Sequence, residues 1–241
     1  VIGDSSNTAE ARSIIQTTDG GFIAVGRNYW PGGDMYIVKL NSSGQLQWSR
    51  TIGGTGIALS VLQTTEGGFA VAGFGSSYEA GVSGPFIVKL TQGGTIEWAR
   101  IYGFGYAAYS IIQTSDGGYG AAISIPDGGG TFKMIFVKLN NMGNILWSKD
   151  IGSVSYTRCI KQTMDRGYIV AGANEPSGAG EFEMYVVKLD SSGSLQWAKT
   201  VGGTDDDFAY SVVQTNDGDY AVAGYTYSFG SEKMYIAKLD S

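Results

Sequence analysis

Three observations on the 241-residue sequence predict an all-β fold made of five copies of one unit. A Gln-Thr-x-Asp/Glu element recurs as Gln16-Thr17-Thr18-Asp19, Gln63-Thr64-Thr65-Glu66, Gln113-Thr114-Ser115-Asp116, Gln162-Thr163-Met164-Asp165 and Gln214-Thr215-Asn216-Asp217. A Lys-Leu pair keeps the same beat at Lys39, Lys89, Lys138, Lys188 and Lys238, in steps of 50, 49, 50 and 50 residues. Short apolar runs separated by Gly-containing turns fill each copy, the last of them carrying Trp48, Trp98, Trp147 or Trp197. A period near fifty with four strands per copy marks a radial architecture, because one copy cannot bury both of its faces alone. The expected fold is a single five-bladed β-propeller over residues 1–241, with four-stranded antiparallel blades.

The first copy shows how each element is read. Ser13-Ile14-Ile15-Gln16-Thr17 is a short strand, and Thr18-Asp19-Gly20-Gly21 is a tight turn in which Gly supplies positive φ and Asp bonds nearby amides. Phe22–Gly26 and Met35–Leu40 are the second and third strands, rich in β-formers and nearly continuous in apolar residues, as suits a sheet covered on both faces. Asn41-Ser42-Ser43-Gly44 is a second hairpin turn, which also accounts for its match to a glycosylation sequon, and Leu46–Ile52 is the fourth strand. Helix is not expected, since each apolar run is short and ends in Gly. The blades fall at about 12–52, 60–101, 110–151, 158–201 and 210–241. The fifth copy stops at Lys238-Leu239-Asp240-Ser241, before its Trp strand, whereas Val1-Ile2-Gly3 matches the Thr200-Val201-Gly202 tail of that strand. The N-terminus is therefore expected to complete the last blade and cover part of an exposed edge.

Composition narrows function mainly by exclusion. A 43% apolar content with 38 Gly and four Pro suits an all-β chain with many turns. The net charge of −6 argues against nucleic acid and anionic membranes as partners, and no apolar run approaches the ~18 residues of a membrane span. With one cysteine, Cys159, there is no internal disulfide, and with no histidine there is no His-based triad or His–metal site. No cofactor is expected. Val1 is not an initiator Met and reads as the start of a processed chain or excised domain.

Comparison of the copies with one another locates the candidate site. The turns after the first and third strands hardly vary in length, whereas the second-to-third connections and the connections between copies do, and these two sets should emerge on one face. They carry Tyr29, Trp30, Tyr78, Tyr106, Tyr156, Phe182, Phe208, Tyr225, Tyr227 and Phe229, interleaved with carboxylates. Aromatic planes beside hydrogen-bonding acids suit sugar rings, whose C–H faces stack while hydroxyls find acceptors; the same Tyr residues can equally seal gaps between blades. Tyr29, Trp30, Tyr225, Tyr227 and Phe229 are the expected contacts, with Asp34 and Glu232 as polar partners. Arg158 and Lys161 join them because the fourth copy departs most from the others there, Lys161 replacing Ile15, Leu62, Ile112 and Val213.

Other motifs have structural readings. The acid of the Gln-Thr element recurs in every copy, which makes it a turn-stabilising device, and the Gln residues are expected to satisfy backbone groups. Asp205-Asp206-Asp207 lacks the spacing of a calcium loop and reads as a solvated acidic loop, so no metal site is assigned. Gly73-x-Gly75 and Gly103-x-Gly105 lack the strand–helix context of a dinucleotide loop.

The combined string Gln-Thr-x-Asp-Gly-Gly-Phe/Tyr…Ala-Gly…Lys-Leu-Asp/Asn-Ser-x-Gly-x-Leu-x-Trp resembles the propeller repeats of secreted and cell-surface proteins of archaea and bacteria, over essentially the whole chain. Its Thr-x-Asp-x-Gly portion resembles the Asp-box turn of sialidases, without the trailing Thr-Trp. In five-fold count it is similar to tachylectin-type lectins, in architecture only. The resemblance implies an extracellular or cell-surface, noncatalytic module that recognises a glycan or a surface protein. Five-bladed glycosidases carry carboxylates around their axis, so the alternative is a glycosidase- or lyase-like hydrolase using two of Asp34, Glu79, Asp127, Glu183 and Asp207, about 5–10 Å apart. A purely structural repeat domain is the third reading.

Overall fold

The computed structural model describes residues 8–29, 32–77, 81–128, 132–152, 156–175 and 181–241. Among these, nineteen β-strands form antiparallel sheets, each a meander in chain order. The first sheet is β1 (Ala9–Gln16), β2 (Phe22–Asn28), β3 (Asp34–Leu40) and β4 (Leu46–Ile52). The second is β5 (Gly56–Gln63), β6 (Phe69–Ser77), β7 (Val82–Leu90) and β8 (Ile96–Ile101). The third is β9 (Ala107–Gln113), β10 (Tyr119–Pro126), β11 (Phe132–Leu139) and β12 (Ile145–Asp150). The fourth is β13 (Tyr156–Gln162), β14 (Tyr168–Asn174), β15 (Glu183–Leu189) and β16 (Leu195–Val201). The fifth has three strands, β17 (Asp207–Gln214), β18 (Tyr220–Thr226) and β19 (Lys233–Leu239). The segment expected to complete it, Val1–Gly3, lies outside the described residues.

The strands outrun the sequence reading in the second copy. In this second-to-third connection, one of the variable ones, Phe74↔Pro85, Gly75↔Gly84, Ser76↔Ser83 and Ser77↔Val82 continue the β6–β7 ladder. Two glycines facing each other, one at φ 156, let the backbone run on where side chains would crowd.

The first Gln-Thr turn shows how these turns close. Gly20 takes φ 77, its N–H donates to Thr17 O at 2.8 Å, and the Asp19 carboxylate accepts from the Gly21 N–H at 3.0 Å and the Thr17 hydroxyl. The carboxylate then meets the buried Lys39 ammonium at 2.9 Å. Lys138–Asp116 (2.9 Å), Lys188–Asp165 (2.8 Å) and Lys238–Asp217 (2.6 Å) repeat the pair. Opposite each Lys-Leu pair that is followed by a fourth strand, that strand carries a β-bulge, with Gln47, Glu97, Leu146 and Gln196 as the extra residues. The bulged residue is re-aimed at the buried ammonium, which donates to Gln47 Oε1 at 3.1 Å and to Gln196 Oε1 at 2.9 Å in the first and fourth copies, and also to the next carbonyl, as Lys39 Nζ does to Leu40 O at 2.9 Å. The second copy moves the acid: Lys89 pairs with Glu97, on β8, at 2.9 Å.

The chain divides into two compact units: Val1–Gln113 with Gly117–Tyr119 and Asn140–Asn144, and Thr114–Asp116 with Gly120–Leu139 and Ile145–Ser241. In the first, Ile23, Val25, Met35 and Ile37 on one face of the first sheet pack against Ala58, Val61, Phe69 and Val71 of the second. In the other, Ile169, Ala171, Met184 and Val186 pack against Ala209, Val212, Tyr220 and Val222. The Trp strands reinforce both interfaces: Trp48 meets Phe69 at 6.0 Å and Trp197 meets Tyr220 edge-on at 5.4 Å between ring centres.

Candidate functional site

The first strand of a repeat carries its own bulge. Register slips between Ala11 and Ser13, Ala58 and Ser60, Thr157 and Cys159, and Ala209 and Ser211 make Arg12, Leu59, Arg158 and Tyr210 the extra residues of these bulges. A bulge of this kind re-aims a side chain away from the ladder. Arg158 is thus equivalent in register to Arg12 of the first copy. Lys161 does stand alone in type at its position.

In the second unit the bulges assemble a cluster. The Arg158 guanidinium lies 5.4 Å from the Tyr156 ring centre and 5.3 Å from that of Tyr210. From there the rings run on: Tyr210–Tyr225 at 5.7 Å, Tyr225–Phe208 stacked at 5.0 Å, Phe208–Phe182 at 5.1 Å and Phe182–Tyr156 at 5.6 Å. Tyr227 stands edge-on to Tyr225 at 5.6 Å and donates its hydroxyl to Glu232 at 3.0 Å. Tyr210 and Tyr227 are exposed. Burial, with Tyr210 and Tyr227 close by, pushes the Tyr225 phenol up to about 12, and the Glu232 carboxylate that accepts the Tyr227 hydroxyl raises that phenol too. Both therefore remain donors near neutral pH.

The acidic loop holds this cluster together. Asp206 accepts from the Phe182 N–H at 2.8 Å, and the Asp207 N–H donates to Phe182 O at 2.6 Å. Asp207 is fully buried, its carboxylate accepting from the Gly203 N–H at 2.8 Å and the Ser228 hydroxyl at 3.2 Å. The expectation of a solvated loop is corrected at this residue, whose Oδ2 ties loops together while its Oδ1 is buried without a hydrogen-bond partner. Among the described residues no group of three or more His, Cys, Asp or Glu can hold a metal ion.

Phe229 turns away to meet Tyr235 at 6.3 Å. Lys161 lies three residues along β13 from Arg158 and lines an open depression of about 350 Å³ with Gln162, Thr163, Met164, Val213 and Gln214, beside the Gln-Thr turns. In the first unit, Tyr29 is exposed with the Arg27 guanidinium 5.3 Å from its ring, and Asp34 opens β3 opposite Asn28. Trp30 and Glu79 lie outside the described residues. Tyr210, absent from the expected contacts, is the residue that links Arg158 to Tyr225; its signal was the bulge, visible only once strand registers are compared.

No family profile matches the chain, and no curated protein does. Among solved structures it is similar to a protein of unknown function from Dyadobacter fermentans DSM 18053 (12% identity, 96% of this chain and 79% of that one, TM-score 0.61). It is also similar to an endo-arabinase from Bacteroides thetaiotaomicron VPI-5482 (10%, 98% and 95%, TM-score 0.53). A third is a candidate exo-β-1,3-galactanase from Bifidobacterium bifidum s17 (13%, 95% and 87%, TM-score 0.52). At such identities the likeness concerns the fold alone, and with the blade-like sheets it fits a propeller-type all-β architecture.

Proposed function

We propose that the chain is a noncatalytic binding module of an extracellular or cell-surface protein, and that it takes a carbohydrate at the Tyr156–Arg158–Tyr210–Tyr225–Tyr227 cluster. The observation that carries this reading is the Arg158 guanidinium set between two tyrosine rings and continued by a run of aromatic faces. Ring faces stack on sugar C–H groups at low entropic cost, and the guanidinium and the raised phenols supply donors for hydroxyls. Two of the neighbours are named for enzymes of arabinan and galactan, which makes those polymers the first probes.

The test is a glycan array followed by titration calorimetry on any hit. Arg158→Ala and Tyr210→Ala should each weaken binding about tenfold or more, with the melting temperature nearly unchanged. Lys161→Ala, at the far end of β13, should bind like the parent. Equal binding by all three variants would remove the cluster from the site. Release of reducing ends from arabinan or galactan would replace the binding reading with the hydrolase.

A further inference from the structure

Three buried side-chain oxygens without a hydrogen-bond partner belong to the third and fourth sheets, all within the second compact unit: Ser124 Oγ, Thr157 Oγ1 and Asn174 Oδ1. Ser124 is 1%, Thr157 0% and Asn174 9% exposed. A buried polar atom left unpaired loses its hydration with nothing in return, so each such group calls for an explanation. The three atoms have one capacity in common: each offers a lone pair.

The strand registers put two of them on one face. Thr157 stands opposite Gly172 on β14, and Asn174 stands opposite Glu183 on β15. Asn174 follows Gly172 by two residues, so Thr157 and Asn174 are diagonal neighbours about 7–8 Å apart. The half-buried Glu183 is directly beside Asn174 on the same face. Tyr168 also lies on this face, and its ring meets Phe136 of the third sheet at 4.5 Å. Ser124 approaches from that third sheet. It is the counterpart of Ala173, which pairs with Met184 on the face that packs against the next sheet.

This combination is peculiar to the fourth copy. Thr157 replaces an alanine that every other copy has, as Ala11, Ala58, Ala108 and Ala209. The pairing of an Asn with an acid recurs only at Asn28 and Asp34, where the threonine is missing.

We propose that Thr157, Asn174, Glu183 and Ser124 form a calcium site between the third and fourth sheets. Calcium takes six to eight oxygen ligands, carboxylates and Asn carbonyls among them. Glu183 supplies the negative charge, Asn174 and the two hydroxyls supply neutral oxygens, and backbone carbonyls or water complete the shell. A single carboxylate makes the site weak, with a dissociation constant on the order of 0.1–1 mM. Magnesium holds its own water in a strict octahedron and suits a buried set of protein oxygens poorly.

The test is calcium titration of the chelator-treated chain, followed by calorimetry and by thermal melting. Calcium at 10 mM should raise the parent's melting temperature by roughly 3–8 °C, and magnesium at the same concentration should do much less. Glu183→Gln and Thr157→Val should keep the parent's circular dichroism and each weaken calcium binding about tenfold or more. Without calcium, Thr157→Val should melt at or above the parent, because it exchanges an unpaired buried hydroxyl for a methyl group. A melting temperature that calcium leaves unchanged, or an equal response to magnesium, would overturn the proposal. So would variants that respond as the parent does, or a Thr157→Val chain that melts below the parent without calcium.

Discussion

At the scale of single residues, departures from the repeat carry the information. Arg166 is the one non-glycine at positive φ among the described residues, at φ 65, where Gly20, Gly67, Gly117 and Gly218 stand in the other copies. Holding an L-residue there costs about 1–2 kcal/mol, while a glycine adds roughly 0.5–1 kcal/mol of unfolded-state entropy. The first effect exceeds the second, so Arg166→Gly should stabilise the chain by about 0.5–1 kcal/mol, read as a higher urea midpoint. The buried lysines invite a paired test. Lys188 is buried and bonded to Asp165, Gln196 and Leu189 O, whereas the Asp165 carboxylate is half in water. Asp165→Asn leaves a buried cation without its counter-charge and should cost about 2–3 kcal/mol, near the lower end for breaking a buried pair. Lys188→Met removes the charge and keeps the stem, and should cost less than about 1 kcal/mol. Equal losses would mean that the pair acts through geometry and not through the buried charge.

At the scale of elements, the hairpin after the third strand and the Trp of the preceding repeat form one fitting. Gly193 has φ 80, and a Cβ there would lie 2.5 Å from the Trp147 ring; Gly143 and Gly94 meet Trp98 and Trp48 at 2.7 and 3.0 Å. Gly193→Ala should therefore destabilise by more than about 1 kcal/mol, through strain at positive φ and displacement of the indole. Gly117, at φ 79 with open space around it, carries only the backbone part and should lose less on the same change. Much of this level was legible in the sequence. The Gln-Thr turns, the Asn41 turn (its Oδ1 accepts from the Ser43 and Gln45 N–H groups at 3.0 and 2.8 Å) and the strand order all follow from turn chemistry and apolar runs. The bulges did not, because a bulge is a property of two paired strands and leaves no mark on either alone. For that reason Lys39 read as a marker of the repeat and not as an ion met by Gln47, and Tyr210 stood only as the start of the fifth blade and not as the link between Arg158 and Tyr225.

At the scale of the whole molecule, repetition turns a local device into a bulk property. The acids of the first, fourth and fifth Gln-Thr turns each meet a lysine, and that of the second is held by its own turn. The Thr17 hydroxyl first, then the Lys39 ammonium, holds the Asp19 carboxyl well below its usual value. Burial pushes Asp165 up, but Lys188, Thr163 and the Gly167 N–H outweigh it and bring the carboxyl down to about 2. Asp217 is lowered by Lys238 and then Thr215, and Glu66 by a backbone N–H and then Thr64. A carboxyl depressed in the folded state contributes stability that is present above its unfolded value near 4 and is lost as pH falls through the folded one. Several such groups in one chain should make the urea midpoint fall steeply between about pH 4 and pH 2. Between about pH 5 and pH 8 the midpoint should stay flat, because the sequence holds no histidine to titrate there. Added salt should soften the acid drop only in part, since the lysine ends at Lys39, Lys138 and Lys188 are buried and screened less than surface charges. A midpoint that already declines from pH 8 to pH 5, or an acid drop abolished by salt, would show that the repeated lysine–carboxylate pairs do not govern the stability of the chain.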